Sequence, residues 1–217
     1  MINFKNKKYI IFDFNGTIID DVQLCLDALN MLLRYNGKPE CSYDKYKHIF
    51  TFPIKRYYEL AGFDFNKHSY EHLANIFIDY YQKRSLDCSL YDGSIETFKY
   101  LIDLGRELSI LSASKIDNLL EQVKHFGIDK YFKNILGTSD IYAYSKVQIG
   151  LNYINENNIN RDEVLMIGDT LHDLEVGREM GIDVILTSSG HQAYDVLEKS
   201  NVLIIESIKD LMDHIKK

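Results

Sequence analysis

The sequence has no tryptophan, two prolines and three cysteines among its 217 residues. Cys25, Cys41 and Cys88 are too few and too widely spaced for a paired disulfide framework or a zinc site of CxxC spacing, so buried thiols in a reducing cytoplasm are expected. No apolar run approaches the roughly 18 residues of a membrane span, and the Met1–Lys8 start is polar and basic, which points to neither secretion nor membrane insertion. Cations are in deficit: 25 Lys and Arg against 32 Asp and Glu leave a formal charge of −7, which repels a phosphate backbone and argues against nucleic acid as a partner. The missing tryptophan is accompanied by 16 tyrosines, a compositional bias that implies no function. The rest is ordinary: 46% hydrophobic and 26% charged residues are the proportions of a globular chain, long enough for one large domain or a core with an insertion.

The apolar run Tyr9–Phe12 ends in Asp13 and is succeeded by the turn signal Asn15-Gly16-Thr17, which predicts a buried strand delivering an aspartate at its carboxyl end. Similar runs recur at Leu108–Leu111, Val164–Ile167, Val184–Leu186 and Val202–Ile205, each too short for a helix. Between them Ile95, Phe98, Leu101 and Ile102, then Leu119, Leu120, Val123 and Phe126, keep helical spacing. Strand and helix thus alternate from about residue 90 onward. The pattern predicts an α/β fold: a three-layer, Rossmann-like core with a mainly parallel sheet, whose ligands bind beyond the carboxyl ends of the strands. Residues 19–87 break it with helical stretches at Val22–Tyr35, Tyr43–Phe50 and Tyr70–Arg84, and both prolines, Pro39 and Pro53, fall there at expected helix boundaries. The expected organisation is a core of residues 1–18 and 88–217 with an all-helical cap inserted at 19–87.

The polar residues directly beyond the strand ends are Asp13 after the first, Ser112 after the second, and Gly168-Asp169 with Asp173 after the fourth. Three carboxylates gathered at one sheet edge repel one another unless a cation joins them, and oxygen ligands without a His or Cys cluster suit Mg²⁺. Lys146, after Tyr142-Ala143-Tyr144-Ser145, is placed to balance the remaining negative charge. Two simpler roles compete nearby: Ser114 is well placed to cap a helix starting at Lys115, and Asp20-Asp21 to cap the first helix of the insertion or to sit near a hinge.

In this order Asp13-Phe14-Asn15-Gly16-Thr17, Ser112, Lys146 and Gly168-Asp169-Thr170-Leu171-His172-Asp173 resemble the motifs of the haloacid dehalogenase-like hydrolases, over essentially the whole chain. The helical insertion after the first motif resembles the cap of the phosphoglycolate phosphatase and β-phosphoglucomutase branch. The resemblance implies a Mg²⁺-dependent phosphatase in which Asp13 attacks the phosphorus of a small phosphorylated substrate and forms an aspartyl-phosphate. It implies that Asp13, the backbone carbonyl of Asn15 and Asp169 hold the metal, with Asp173 in support. Thr17, Ser112, Ala113 and Lys146 would contact the phosphate. A cytoplasmic monomer or homodimer is expected. Dehalogenation is disfavoured, because that chemistry needs no metal constellation.

One residue departs from the pattern. The family's phosphatases usually carry a second Asp where this chain has Asn15, and that Asp protonates the leaving oxygen and later deprotonates the attacking water. An amide does neither, and loss of one general acid or base costs on the order of 10² to 10⁴ in rate. Hydrolysis of ordinary alkyl phosphates is therefore expected to be slow, phosphomutase activity is disfavoured, and Asn15→Asp is expected to favour alkyl substrates. Three readings are open. One is a phosphatase whose substrate has a good leaving group, or whose proton comes from His48, Lys55, Tyr57, Tyr58 or His68. Another is a phosphonatase-like C–P hydrolase needing a cap lysine, for which Lys55 is the candidate. The last is a phosphate-binding module that has lost turnover. Lys55 and Arg56 would bind a second anionic group on the substrate if they face the cap–core mouth, whereas a helix starting near Pro53 would turn them to water. His172 is expected at the surface or in a supporting hydrogen bond.

Overall fold

The computed structural model describes residues 2–139 and 146–215, so the Tyr142–Ser145 segment lies outside the described residues. The chain begins with β1 (Tyr9–Phe12) and β2 (Ile19–Asp20), then enters four helices, α1 (Val22–Tyr35), α2 (Tyr43–Ile49), α3 (Ile54–Ala61) and α4 (Tyr70–Gln82). It returns through β3 (Ser89–Leu90) and alternates α5 (Ser94–Asp103), β4 (Glu107–Lys115), α6 (Ile116–His125), β5 (Asn134–Thr138), α7 (Lys146–Glu156) and β6 (Val164–Gly168). The last elements are α8 (Leu171–Met180), β7 (Asp183–Thr187), α9 (Tyr194–Leu197), β8 (Ile204–Ile205) and α10 (Leu211–Ile215).

Six strands form one sheet in the order β5-β4-β1-β6-β7-β8, and every adjacent pair is parallel. This is the expected three-layer α/β architecture. Its cause is legible in β1, whose alternate side chains enter two different cores. Ile10 and Phe12 pack with Phe98, Leu101 and Leu119 on one face, while Ile11 packs with Tyr153, Leu174 and Met180 on the other. Each fully buried side chain of this size contributes on the order of 2 kcal/mol. From β1 the chain continues to β4 on one side of the sheet and later to β6 on the other, so the carboxyl end of β1 lies at a topological switch point, where α/β sheets open a crevice.

The four inserted helices close around their own apolar cluster, which includes Leu29, Leu32, Tyr46, Tyr58 and Leu73. The antiparallel pair β2 and β3, joining Ile19 to Leu90 and Asp20 to Ser89, brings the entry and exit of the insertion together. Pro53 sits at the N-cap of α3, a helix the apolar spacing did not isolate. Strand β4 is longer than its apolar run and carries Ser112, Ala113 and Ser114 within it, so Ser114 does not cap α6; that position falls to Lys115, which makes no side-chain cap bond.

Candidate functional site

Asp13 directly follows β1, and its backbone N–H donates to the Ile167 carbonyl at 2.8 Å, which locks it to β6. Asp169 follows β6, and Asp173 lies in the first turn of α8. Thr170 caps that helix through a reciprocal capping box in which one Asp173 oxygen, Oδ2, accepts from the Thr170 hydroxyl at 2.6 Å and from the Thr170 N–H at 3.0 Å. The other oxygen meets Lys146, which opens α7: Nζ donates to Asp173 Oδ1 at 2.6 Å and to Asp13 Oδ1 at 2.5 Å. Asp13, Lys146, Asp169 and Asp173 are all buried, and the three aspartates offer carboxylate oxygens within 4.8 Å of one another.

One lysine against three buried carboxylates leaves a surplus of negative charge. Burial pushes Asp13 up to about 8, with Lys146 opposing the shift and Asp173 and Asp169 adding to it. Burial likewise raises Asp169 to about 6, against the charge of His191. Burial also disfavours the Asp173 anion, but Lys146 outweighs it and holds that carboxyl below the usual range. For Lys146 itself, burial favours the neutral amine and is overcome by Asp13 and Asp173, so it stays charged.

A cavity of about 200 Å³ opens on this cluster. Ser112 and Ala113 line it, with Ser112 Oγ accepting the Ser114 N–H at 3.1 Å and keeping its own proton free for another partner. Thr17 sits differently from the expectation: it is fully buried outside the cavity wall, and its hydroxyl donates to Asp169 Oδ1 at 3.3 Å. Lys55 and Arg56 are also away from the wall. Lys55 lies over the Phe65 ring at 5.6 Å and Arg56 pairs with Glu59 at 3.0 Å, because α3 turns its aromatic residues inward and its cations to solvent. Of the other proton-donor candidates, Tyr57 and Tyr58 line the cavity, whereas exposed His48 pairs with Asp195 and His68 stacks on Tyr35. His172 is drawn inward instead. It stacks on Phe52 with centroids 4.2 Å apart, and its Nε2 is buried without a hydrogen-bond partner among the described residues.

Beside Asp13 lies a second network that the motifs did not reveal. Asn15 Nδ2 donates to Asp21 Oδ2 at 2.8 Å and to the Tyr81 hydroxyl at 2.7 Å, while Asn15 Oδ1 accepts from Ser114 Oγ at 2.9 Å. Asp21 also accepts from the Gly16 N–H at 2.9 Å and the Tyr81 hydroxyl at 2.7 Å. Its other neighbour is buried His191, whose Nε2 lies 3.3 Å from Asp21 Oδ1 and whose Nδ1 lies 2.8 Å from the Tyr46 hydroxyl. Although burial disfavours both charges, each holds the other: His191 is pushed up to about 9, and Asp21 is held below the usual carboxylate range. The His191 N–H donates to Asp169 Oδ2 at 2.6 Å, which ties this network to the carboxylate cluster. Asp21, read from the sequence as a cap for α1, makes no side-chain capping bond there and is spent on this network instead.

A family model described as haloacid dehalogenase-like hydrolase matches residues 10–187. A phosphoglycolate phosphatase from Psychrobacter arcticus is 23% identical over 223 residues, covering 98% of this chain and 97% of that protein. The tyrosine-protein kinase PtkA of Mycobacterium tuberculosis is 23% identical over 202 residues, covering 93% of this chain and 69% of that protein. Among solved structures, a "predicted phosphatase" from Clostridium acetobutylicum shares the fold with a TM-score of 0.82 at 20% identity, covering 97% of this chain and 98% of its own. The chain belongs to the haloacid dehalogenase-like hydrolases.

Proposed function

We propose that this hydrolase cleaves a small phosphate monoester through an aspartyl-phosphate on Asp13, beneath residues 19–87 acting as a cap on a core of residues 1–18 and 88–217. The observation that carries the reading is the buried Asp13–Lys146–Asp173 chain with Asp169 beside it, open to a cavity at the switch point of the sheet. The phosphoglycolate phosphatase relative is consistent with it.

The donor set fits a hard divalent cation such as Mg²⁺: three buried carboxylates with oxygens within 4.8 Å of one another, and no histidine or cysteine in the cluster. Asp13 and Asp169 would hold it together with the Asn15 carbonyl. Asp173 would act at one remove, since Lys146 and the capping box occupy both its oxygens. The bound cation would offset charge on the phosphoryl oxygens. Lys146 opposes the protonation of Asp13 that burial favours and aims its carboxylate, and Ser112 has a hydroxyl proton to give to a phosphoryl oxygen. The C–P hydrolase alternative loses its support, because the lysines lining the cavity are Lys115 and Lys146, both outside the insertion.

Assay with Mg²⁺ against a set of phosphate monoesters, wild type beside Asp13→Asn, tests the reading. Phosphate release by the wild type and none by the variant is expected. Retained turnover in Asp13→Asn would remove the covalent mechanism, and phosphate binding without release would favour a binding module.

A further inference from the structure

The wall of the cavity away from Asp13 is built by the insertion, and its chemistry is one-sided. Phe50, Phe52, Tyr57, Phe77, Ile78 and Ala74 are representative: apart from Asp21 and Gln82, every wall residue from α1 to α4 and their connections is apolar or aromatic, and none is cationic. Asp21 is already neutralised by His191. The cations that line the cavity among the described residues are Lys115, 3.0 Å from Asp117, Lys146, which is committed to Asp13 and Asp173, and His191, which is committed to Asp21. A second carboxylate or phosphate on the substrate would lose its water here and meet neutral donors such as the Tyr57 hydroxyl in place of a cation, a costly burial. A volume of about 200 Å³ suits a single ring; a dry cavity of roughly 150 Å³ holds benzene.

Asn15 supplies an independent constraint. Its amide is fixed by Asp21, Tyr81 and Ser114, so the position from which a leaving oxygen would be protonated has no transferable proton. A leaving group that departs as a stable anion avoids the need. Phenols ionise near pH 10, as tyrosine does, against about 15.7 for water, which alkyl alcohols approximate.

We infer that the substrate of this site is an aryl phosphate, the phosphate monoester of a single uncharged aromatic ring, seated among the insertion's aromatic side chains. This rests on the phosphatase reading and specifies its substrate class. An Asp13 carboxylate oxygen bonds to phosphorus as the P–O bond to the ring oxygen breaks, and the aryloxide leaves with the bonding electron pair and no proton. Water then cleaves the aspartyl-phosphate, regenerating the Asp13 carboxylate and H₂PO₄⁻, which passes one proton to the aryloxide in solution. Rings of the cap meet the substrate ring at edge or face.

The test compares phenyl, cyclohexyl and 4-carboxyphenyl phosphate with purified protein and Mg²⁺. Phenyl phosphate is expected to exceed cyclohexyl phosphate, which has similar bulk but an alkyl leaving group, by about 10² to 10⁴ in kcat/KM. The 4-carboxyphenyl ester is expected to fall at least tenfold below phenyl through KM. Ile78→Lys, on the half-buried part of the wall, is expected to shift preference toward the 4-carboxyphenyl ester by about tenfold. Should that variant not fold, Ala74→Lys, one turn earlier on α4, makes the same comparison. Comparable rates on phenyl and cyclohexyl phosphate, or a 4-carboxyphenyl ester as good as phenyl, would overturn the aryl assignment and leave the phosphatase reading standing. No release from any ester, alongside bound phosphate, would overturn both.

Discussion

Asn15 and Asp21 face each other at 2.8 Å, amide against ionised carboxylate, in a buried pocket where Asp21 is also paired with His191. An acceptor-only carboxylate requires a donor opposite it, and the Asn15 NH₂ group is that donor. Asp21 thus gives a physical reason for the amide in the first motif, and it revises what Asn15→Asp should do. Asn15→Asp alone would set two carboxylates against each other and is expected to lower the melting temperature by several degrees, for a cost of about 1–3 kcal/mol. It should not raise alkyl phosphate hydrolysis. Asn15→Asp with Asp21→Asn exchanges donor and acceptor but takes the carboxylate from His191, so melting temperature should recover only in part, and any gain on alkyl esters should appear only in this pair. Thermal melts of the three variants check the first point, and alkyl-to-aryl rate ratios the second.

Lys146 provides the second expectation. Among the described residues it is the single cation paired with Asp13 and Asp173, and all three are buried. Lys146→Met keeps the apolar stem, ends one atom short and strands two carboxylates, so metal-free protein is expected to lose about 3–5 kcal/mol in chemical denaturation. Added Mg²⁺ should return part of that loss. A variant as stable as wild type in EDTA would mean that the ion pairs contribute nothing net.

The pH dependence of the metal-free protein carries a definite sign. Asp13 is raised from 3.8 to about 8 and Asp169 from 3.8 to about 6, so between those limits the folded state binds protons that the unfolded state has released. His191, raised from 6.5 to about 9, does the same over a higher window. Stability therefore falls as pH rises from about 4 to 9 in EDTA. A cation on Asp13 and Asp169 favours their ionised forms, so Mg²⁺ should flatten the part below about pH 8. His191→Gln should flatten the part between about 6.5 and 9. Melting curves at half-unit pH steps, with EDTA and with Mg²⁺, read both slopes.

How much of the molecule is legible in the sequence varies with the kind of interaction. Asp13, Ser112 and Asp169 can be found because each lies at the end of an apolar run in a parallel sheet, where the run stops, and Asp173 because it stands four residues further on, in the first turn of α8. Helix α1 is bounded correctly at Val22–Tyr35 for the same local reason. Strand β5 escapes: Asn134 and Gly137 interrupt its apolar pattern, and it is a half-buried edge strand. Thr17 is misdirected because spacing places a residue near a turn without deciding whether its hydroxyl faces the cavity or Asp169. The network of Asp21, Tyr46, Tyr81 and His191 is invisible because its members come from four separate segments. His191 lies 170 residues beyond Asp21, and only the closed arrangement of insertion and core makes them neighbours.

Gly190 gives the last expectation, one that separates metal binding from the rest of the site. It lies just before His191, where the chain passes so close to Asp169 that a Cβ would overlap that residue's Oδ2, Cβ and Cγ. Asp169 has little room to yield, since it is held by Thr17 on Oδ1 and by the His191 N–H on Oδ2. Gly190→Ala should therefore displace the Asp169 carboxylate while leaving Asp13, Lys146 and Asp173 as they are. Calorimetric titration is expected to show Mg²⁺ affinity reduced at least tenfold, approaching the effect of Asp169→Asn. The Lys146 ion pairs should persist, so the EDTA melting temperature should fall by much less than in Lys146→Met. Unchanged Mg²⁺ affinity in both Gly190→Ala and Asp169→Asn would remove Asp169 from the metal site, and with it the assignment of the cluster as a divalent-cation site.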